Sequence, residues 1–106
     1  MAVVNRSHTL KTDPHVFDAT AAGAKTFEIR IDDRGFRVGE KMVLRRTRYS
    51  GHQMTTFGKP LEYTGEEITV KITHIQRGYG IADGWVGLSH SRPMLSAAKE
   101  NNNAIK

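Results

Sequence analysis

The sequence contains no cysteine, only three prolines and a single tryptophan, and aromatic residues make up 8% of it. Without cysteine the chain has neither a disulfide framework nor a thiolate zinc site, which is typical of proteins in reducing compartments. No apolar run approaches the ~20 residues that a membrane-spanning helix needs, and residues 1–8 lack the apolar core of a signal peptide. We therefore expect a cytoplasmic protein that does not associate with membranes.

Acidic residues are the minority among the charged side chains. The 16 lysines and arginines exceed the 11 aspartates and glutamates, giving a net charge of +5 and a pI near 9.8. This balance favours a polyanionic partner such as RNA or DNA, although the same charge can serve solubility alone. The 106 residues suffice for one domain. We expect that domain at residues 1–92 and a flexible tail at 93–106, where little is available to bury.

The local pattern predicts one helix and several short strands. Asp13 followed by Pro14 is typical of a helix start, and Gly23 supplies a left-handed stop after Ala22. Alternation of side-chain character predicts a strand over Lys25–Ile31. By the same criterion, further strands are predicted at 8–11, 41–49, 67–75 and 85–88, with a turn at 63–66 and a long loop at 50–62.

Four or five short strands, one early helix and glycine-rich turns predict an α+β fold. The architecture expected is a small mixed β-barrel or a strongly curled sheet, with one N-terminal helix packed on it. His74 continues the apolar face of its strand, and Trp85 lies in a short apolar strand. Both side chains are therefore expected in the core.

The strand over Lys25–Ile31 has two different faces. Its largely apolar face carries Lys25, Phe27, Ile29 and Ile31, and its polar face carries Thr26, Glu28 and Arg30. Glu28 and Arg30 can orient one another and present fixed hydrogen-bonding groups to a ligand. The same residues also fit a solvated strand face with an ion pair contributing about 0–1 kcal/mol.

Three arginines, Arg45, Arg46 and Arg48, form a basic cluster that can follow a phosphate backbone. Aromatic side chains available for stacking on unpaired bases are Tyr49, Tyr79 and Trp85. The five histidines form neither an HxxxH nor an HxH pair, so we predict no metal site and no cofactor.

The segment Gly23-x-Lys25-x-x-Glu28-x-Arg30 resembles the GxKxxExR signature of ASCH domains, relatives of the RNA-binding PUA domain. The similarity covers about residues 8–88 and is greatest to a group of small phage and bacterial proteins of unknown function. It implies a PUA-like barrel whose cleft takes RNA or a nucleotide. The ligand-binding residues would be Lys25, Glu28, Arg30, Arg34 and Lys11.

The resemblance also implies a first alternative, an enzyme. One ASCH branch deacetylates N4-acetylcytidine with a lysine, a threonine three residues later and a distant glutamate. Here Glu28 stands three residues after Lys25, so a catalytic set would combine Lys25, Glu28 and Thr26 in another geometry; ribonuclease activity is reported for other relatives. The second alternative is a phage protein that binds a host protein. We expect a monomer.

Overall fold

The computed structural model describes residues 6–94. Its elements, in chain order, are β1 (Ser7–Thr12), α1 (Pro14–Ala21), β2 (Phe27–Ile31), β3 (Lys41–Thr47), α2 (Gly51–Phe57), β4 (Tyr63–Gln76) and β5 (Trp85–His90). Residues 95–106, most of the predicted flexible tail, lie outside the described part of the chain. Within that part, no helix is long and apolar enough to cross a membrane.

All five strands belong to one mixed sheet in the order β1-β3-β4-β5-β2. β1 runs parallel to β3, and the other three pairs are antiparallel. β4 has 14 residues. Its first part pairs with β3 and its second part pairs with β5, with a register irregularity between Ile72 and His74. It also includes the predicted turn at 63–66, so the expected turn there is wrong. The two edges of the sheet are β1 and β2.

The expectation of a β-barrel is wrong, because the sheet is open between β1 and β2 throughout the described residues. Side chains join these edges where a barrel would have backbone hydrogen bonds. Arg30 Nη2 donates to the carbonyl of Lys11 at 3.2 Å, and Arg34 Nη1 donates to the carbonyl of Thr9 at 3.0 Å. Guanidinium groups thus occupy the place that a continuous strand ladder would take.

The expectation of a single helix is also wrong, because α2 forms inside the predicted loop. Ser50 and Gln53 make a capping box: Gln53 N donates to Ser50 Oγ at 3.1 Å, and Ser50 N donates to Gln53 Oε1 at 2.8 Å. Gly58, with φ of 66°, ends the helix in the left-handed conformation. These paired bonds satisfy backbone groups that a helix start otherwise leaves open.

The predicted limits of α1 are confirmed. The helix begins at Pro14, and Gly23 follows it with φ of 78°. The Asp13 carboxylate, however, makes no capping bond to α1. Asp13 Oδ1 instead accepts from the backbone N–H of Gly51 at 3.0 Å, which ties the start of α2 to the start of α1.

The core lies between α1 and the inner face of the sheet. Its buried apolar residues are Leu10, Phe17, Phe36, Met42, Leu44, Val70, Ile72, Val86 and Leu88. The predictions for His74 and Trp85 are wrong. Because of the irregularity in β4, His74 pairs with Ser89, and Trp85 pairs with Ile31. Paired residues share a face of the sheet, and Ser89 and Ile31 are exposed, so both side chains lie on the outer face; Trp85 is 40% exposed.

A buried carboxylate, Glu40, anchors the start of β3. Its Oε1 is 2.8 Å from His8 Nε2 and accepts from the N–H of Arg37 at 2.8 Å, and its Oε2 is 3.2 Å from Arg6 Nε. Burial raises the pKa of Glu40, but the bonds from His8 and Arg37 and the charge of Arg6 lower it more. The pKa of Glu40 therefore lies below its usual value of 4.5.

We expect the free energy of unfolding to decrease as the pH falls below the usual glutamate range. The pKa of Glu40 is lower in the folded chain, so its contribution is complete above 4.5 and is lost as the pH drops through the folded value. Asp32 acts in the same direction, because the hydrogen bond from Arg77 lowers its pKa despite partial burial. Urea unfolding at a series of pH values measures the trend, and Glu40→Gln should flatten it. An unchanged profile in Glu40→Gln would contradict the assignment.

Candidate functional site

The gap between β1 and β2 forms a cleft. Two adjoining cavities, of about 430 and 300 Å³, share Lys11, Ile29 and Arg30. The larger cavity extends towards Arg34 and Trp85; the smaller one extends towards the following residues: Asp13, Val16, Lys25 and Glu28. We call the two together the seam cleft. The seam cleft exists because the two edge strands, β1 and β2, are not paired with each other.

The Glu28 side chain lies on the inner face of the sheet and lines the smaller cavity. It pairs in register with Leu88 of β5, which is a core residue, so Glu28 shares the inner face and is only 3% exposed. Two cations compensate for this burial: Lys25 Nζ is 2.7 Å from Oε2, and Arg30 Nε is 3.0 Å from Oε1. The sequence pattern allowed two interpretations of this polar face: side chains that orient one another, or a solvated face with a weak ion pair. In the structure Glu28 is buried and bonded to both cations, so the face is not solvated at Glu28.

The cations beside Glu28 also hold the surrounding backbone. Lys25 Nζ donates to the carbonyl of Phe27, and its ammonium lies 4.6 Å from the centre of the Phe27 ring. Besides its bond to Lys11, Arg30 Nη2 approaches Thr12 Oγ1 at 3.4 Å. Glu28 is therefore the centre of a hydrogen-bonded chain between the two edge strands. Among residues 6–94, Arg30 Nη1 has no acceptor and remains available to a ligand.

Thr26 lies apart from this chain. Its side chain is exposed, and its carbonyl accepts from the N–H of His90 at 3.0 Å. Within the described residues its hydroxyl makes no hydrogen bond to Lys25 or Glu28. The structure thus brings Lys25 and Glu28 together and leaves Thr26 outside, so a catalytic role for the three remains a prediction.

Lys11 and Arg34 add positive charge to the larger cavity. Lys11 is exposed, and its ammonium has no carboxylate within ion-pair distance in the part of the chain that is described. Arg34 Nε is 3.8 Å from Asp33 Oδ1, and its side chain is 40% exposed. An ion pair this long and exposed contributes little. Lys11 can therefore turn towards an anionic ligand, and Arg34 can offer its Nε and Nη2 groups while Nη1 donates to the Thr9 carbonyl.

An apolar rim stands beside these cations. Phe27, Ile29 and Ile31 are each about half exposed, at 49%, 54% and 53%. Ile31 pairs in register with Trp85, so the rim continues from β2 onto β5. The alternation in the sequence identified this apolar face but gave no sign that it meets solvent. Exposed neighbouring apolar side chains of this size commonly mark a binding surface.

The three arginines of the basic cluster each have a different partner. Arg46 Nε lies 3.0 Å from Asp18 Oδ1 and joins β3 to α1. This hydrogen bond raises the pKa of Arg46 and lowers the pKa of Asp18, although burial opposes both shifts. Arg46 therefore has a structural partner already, and a contact with nucleic acid would compete with it.

The other two arginines of the cluster face different neighbours. Arg48 Nε is 3.1 Å from Glu62 Oε1. Arg45 lies 3.7 Å from the centre of the Tyr63 ring and 3.9 Å from Glu67 Oε2. A contact between these three arginines and nucleic acid remains a prediction.

Comparison with known proteins gives one family. Residues 7–90 match the model of a family described as Domain of unknown function (DUF3850). No curated protein matches the sequence. The match covers the whole sheet and both helices, whereas the resemblance to ASCH domains remains a hypothesis.

In residues 6–94 no group of three histidine, aspartate or glutamate side chains is placed to hold a metal ion.

Proposed function

We propose that this chain, which belongs to the DUF3850 family, binds RNA or a nucleotide in the seam cleft. The observation that supports the proposal is the combination of several cations with half-exposed apolar side chains along one groove. Among these cations Lys11 has no carboxylate partner in the described residues, and the pair of Arg34 with Asp33 is long and exposed. Nucleotides present both an anionic phosphate and a flat apolar base, and proteins bind them through both. The net charge of +5 acts in the same direction.

The phosphate would lie in the larger cavity. This cavity is lined by three cationic side chains: Lys11, Arg30 and Arg34. Arg30 would donate to the phosphate through its free Nη1 group. Arginine can offer two parallel N–H groups to a phosphate, whereas lysine acts as a point charge. Because Glu28 and Lys11 hold the other donors of Arg30, its guanidinium is oriented before a ligand arrives.

The base would use the apolar rim and the smaller cavity. The cavity of about 300 Å³ is at the lower end of the range for small-ligand sites, which suits one nucleoside. Asp13 lines it with its second carboxylate oxygen free of any partner in the described residues. The cavity thus offers a hydrogen-bond acceptor from Asp13 and a donor from Lys25, and the edge of a base presents partners for both.

We expect Lys11→Ala to weaken binding to single-stranded RNA about threefold to tenfold. Loss of one phosphate contact should also reduce the slope of log Kd against log salt by about 0.7. Fluorescence anisotropy at several salt concentrations measures both quantities. Lys71→Ala is the matched control: Lys71 is also an exposed strand lysine without an ion pair in the described residues, but it lies on β4 away from the cleft.

An equal effect of Lys11→Ala and Lys71→Ala would overturn the placement of the site, since general charge alone would then explain binding. Absence of binding to any RNA or nucleotide would overturn the function itself. Enzyme activity, a host-protein partner, a cytoplasmic location and a monomeric state remain predictions. Mass spectrometry of incubated N4-acetylcytidine and RNA, with Lys25→Ala as control, tests the enzymatic alternative.

A further inference from the structure

Tyr79 projects from the loop between β4 and β5. Its side chain is 94% exposed, and it is the one non-glycine residue with positive φ, 54°, in the described part of the chain. The N–H of Ile81 donates to the carbonyl of Gly78 at 3.0 Å, and Gly80 has φ of 91°. Tyr79 thus occupies the first central position of a tight turn of the I′ kind.

Packing does not explain a tyrosine at this position. Asparagine, aspartate and glycine are favoured there, because the left-handed conformation strains a bulky side chain. The Tyr79 ring makes no aromatic or cation contact with other described residues, and its exposure shows that the fold gains little from burying it. A strained residue without a structural reward is an indication of function.

Two contacts fix this loop beside the seam cleft. Arg77 Nη2 lies 2.7 Å from Oδ2 of Asp32, the residue that follows β2. Ile81 packs over Gly87, where its Cδ1 lies 3.1 Å from the position that a Cβ would take. Gly87 pairs in register with Ile29, a residue of the cleft. The loop therefore lies over the outer face of β5, next to the apolar rim.

We propose that Tyr79 stacks on an unpaired base of a single-stranded nucleic acid whose neighbouring nucleotide occupies the seam cleft. This inference rests on the proposed function and deepens it, because the ligand becomes an oligomer and not a lone nucleotide. Asp33, which is exposed, lines this end of the cleft, so the contribution of Tyr79 there would come from its ring and not from charge. Stacking of this kind tolerates any base.

The test uses Tyr79→Asn, which removes the ring and places a favoured residue in the turn. We expect a hexanucleotide to bind the wild type at least about tenfold more tightly than a mononucleotide, and Tyr79→Asn to weaken hexanucleotide binding about 5- to 100-fold. Binding of the mononucleotide should not change. The salt dependence should also be unchanged, in contrast to Lys11→Ala, and Tyr79→Phe should retain the affinity.

Phe57→Ala is the matched control, because Phe57 is 67% exposed but lies at the end of α2. Thermal unfolding of Tyr79→Asn shows whether the turn is intact. Unchanged hexanucleotide affinity in Tyr79→Asn, or an equal loss in Phe57→Ala, would overturn the stacking role while leaving the cleft proposal in place. A wild type that binds neither ligand would overturn both.

Discussion

Replacement of Glu28 by alanine is expected to lower the free energy of unfolding by about 2–4 kcal/mol. Glu28 is 3% exposed and accepts hydrogen bonds from Lys25 and Arg30, so its loss leaves two cations without their acceptor. Removal of one member of a fully buried pair typically costs about 3–5 kcal/mol. We expect somewhat less, because Lys25 and Arg30 keep 19% and 23% of their side-chain surface exposed and can reach water.

Urea unfolding followed by circular dichroism measures this loss. Glu62→Ala is the control, because Glu62 pairs with Arg48 at 3.1 Å on the surface with 50% of its side chain exposed, and such pairs contribute about 0–1 kcal/mol. A Glu28→Ala variant as stable as Glu62→Ala would show that the interior chain of hydrogen bonds does not hold the two strand edges together.

The second large effect is expected for Phe17→Ala, at about 3–5 kcal/mol. Phe17 is 4% exposed and belongs to the core cluster, and α1 packs on β3. Since Asp13 and Val16 line the smaller cavity from the start of α1, a loosened helix should also weaken binding of a nucleotide. Equilibrium unfolding and nucleotide titration measure the two effects.

Phe57 supplies the comparison for Phe17. It is 67% exposed at the end of α2, so Phe57→Ala should change the free energy of unfolding by about 0.5 kcal/mol or less. Equal losses in both variants would mean that α1 is not anchored through Phe17.

Local features of the fold could be predicted from the sequence. Pro14 and Gly23 correctly marked the limits of α1, since a proline at a helix start and a left-handed glycine after its end are short-range effects. α2 was missed although Ser50, Gln53 and Gly58 carry its signals. The stretch 50–62 contains two glycines and a proline, and its helix signals had no apolar periodicity to support them.

The arrangement of the strands could not be predicted in the same way. Alternation divides β2 into two faces but does not say which one faces the core, because that depends on pairing with β5. Here the polar face turns inward, since Lys25 and Arg30 neutralise Glu28, and Ile29 meets solvent. Closure of a barrel likewise depends on whether the backbones of the two edge strands form hydrogen bonds with each other. The alternation of side chains within one strand does not predict this.

The two strand edges at the seam are separated by the reach of Arg30 and Arg34. Hydrogen-bonded strands keep a nearly constant spacing of about 4.8 Å, whereas an arginine has several rotamers of different length. The spacing of the two edges at the seam is therefore supported by two side chains and not by a backbone ladder. A substitution at Arg30 or Arg34 would alter the wall of the groove without removing any backbone hydrogen bond of the sheet.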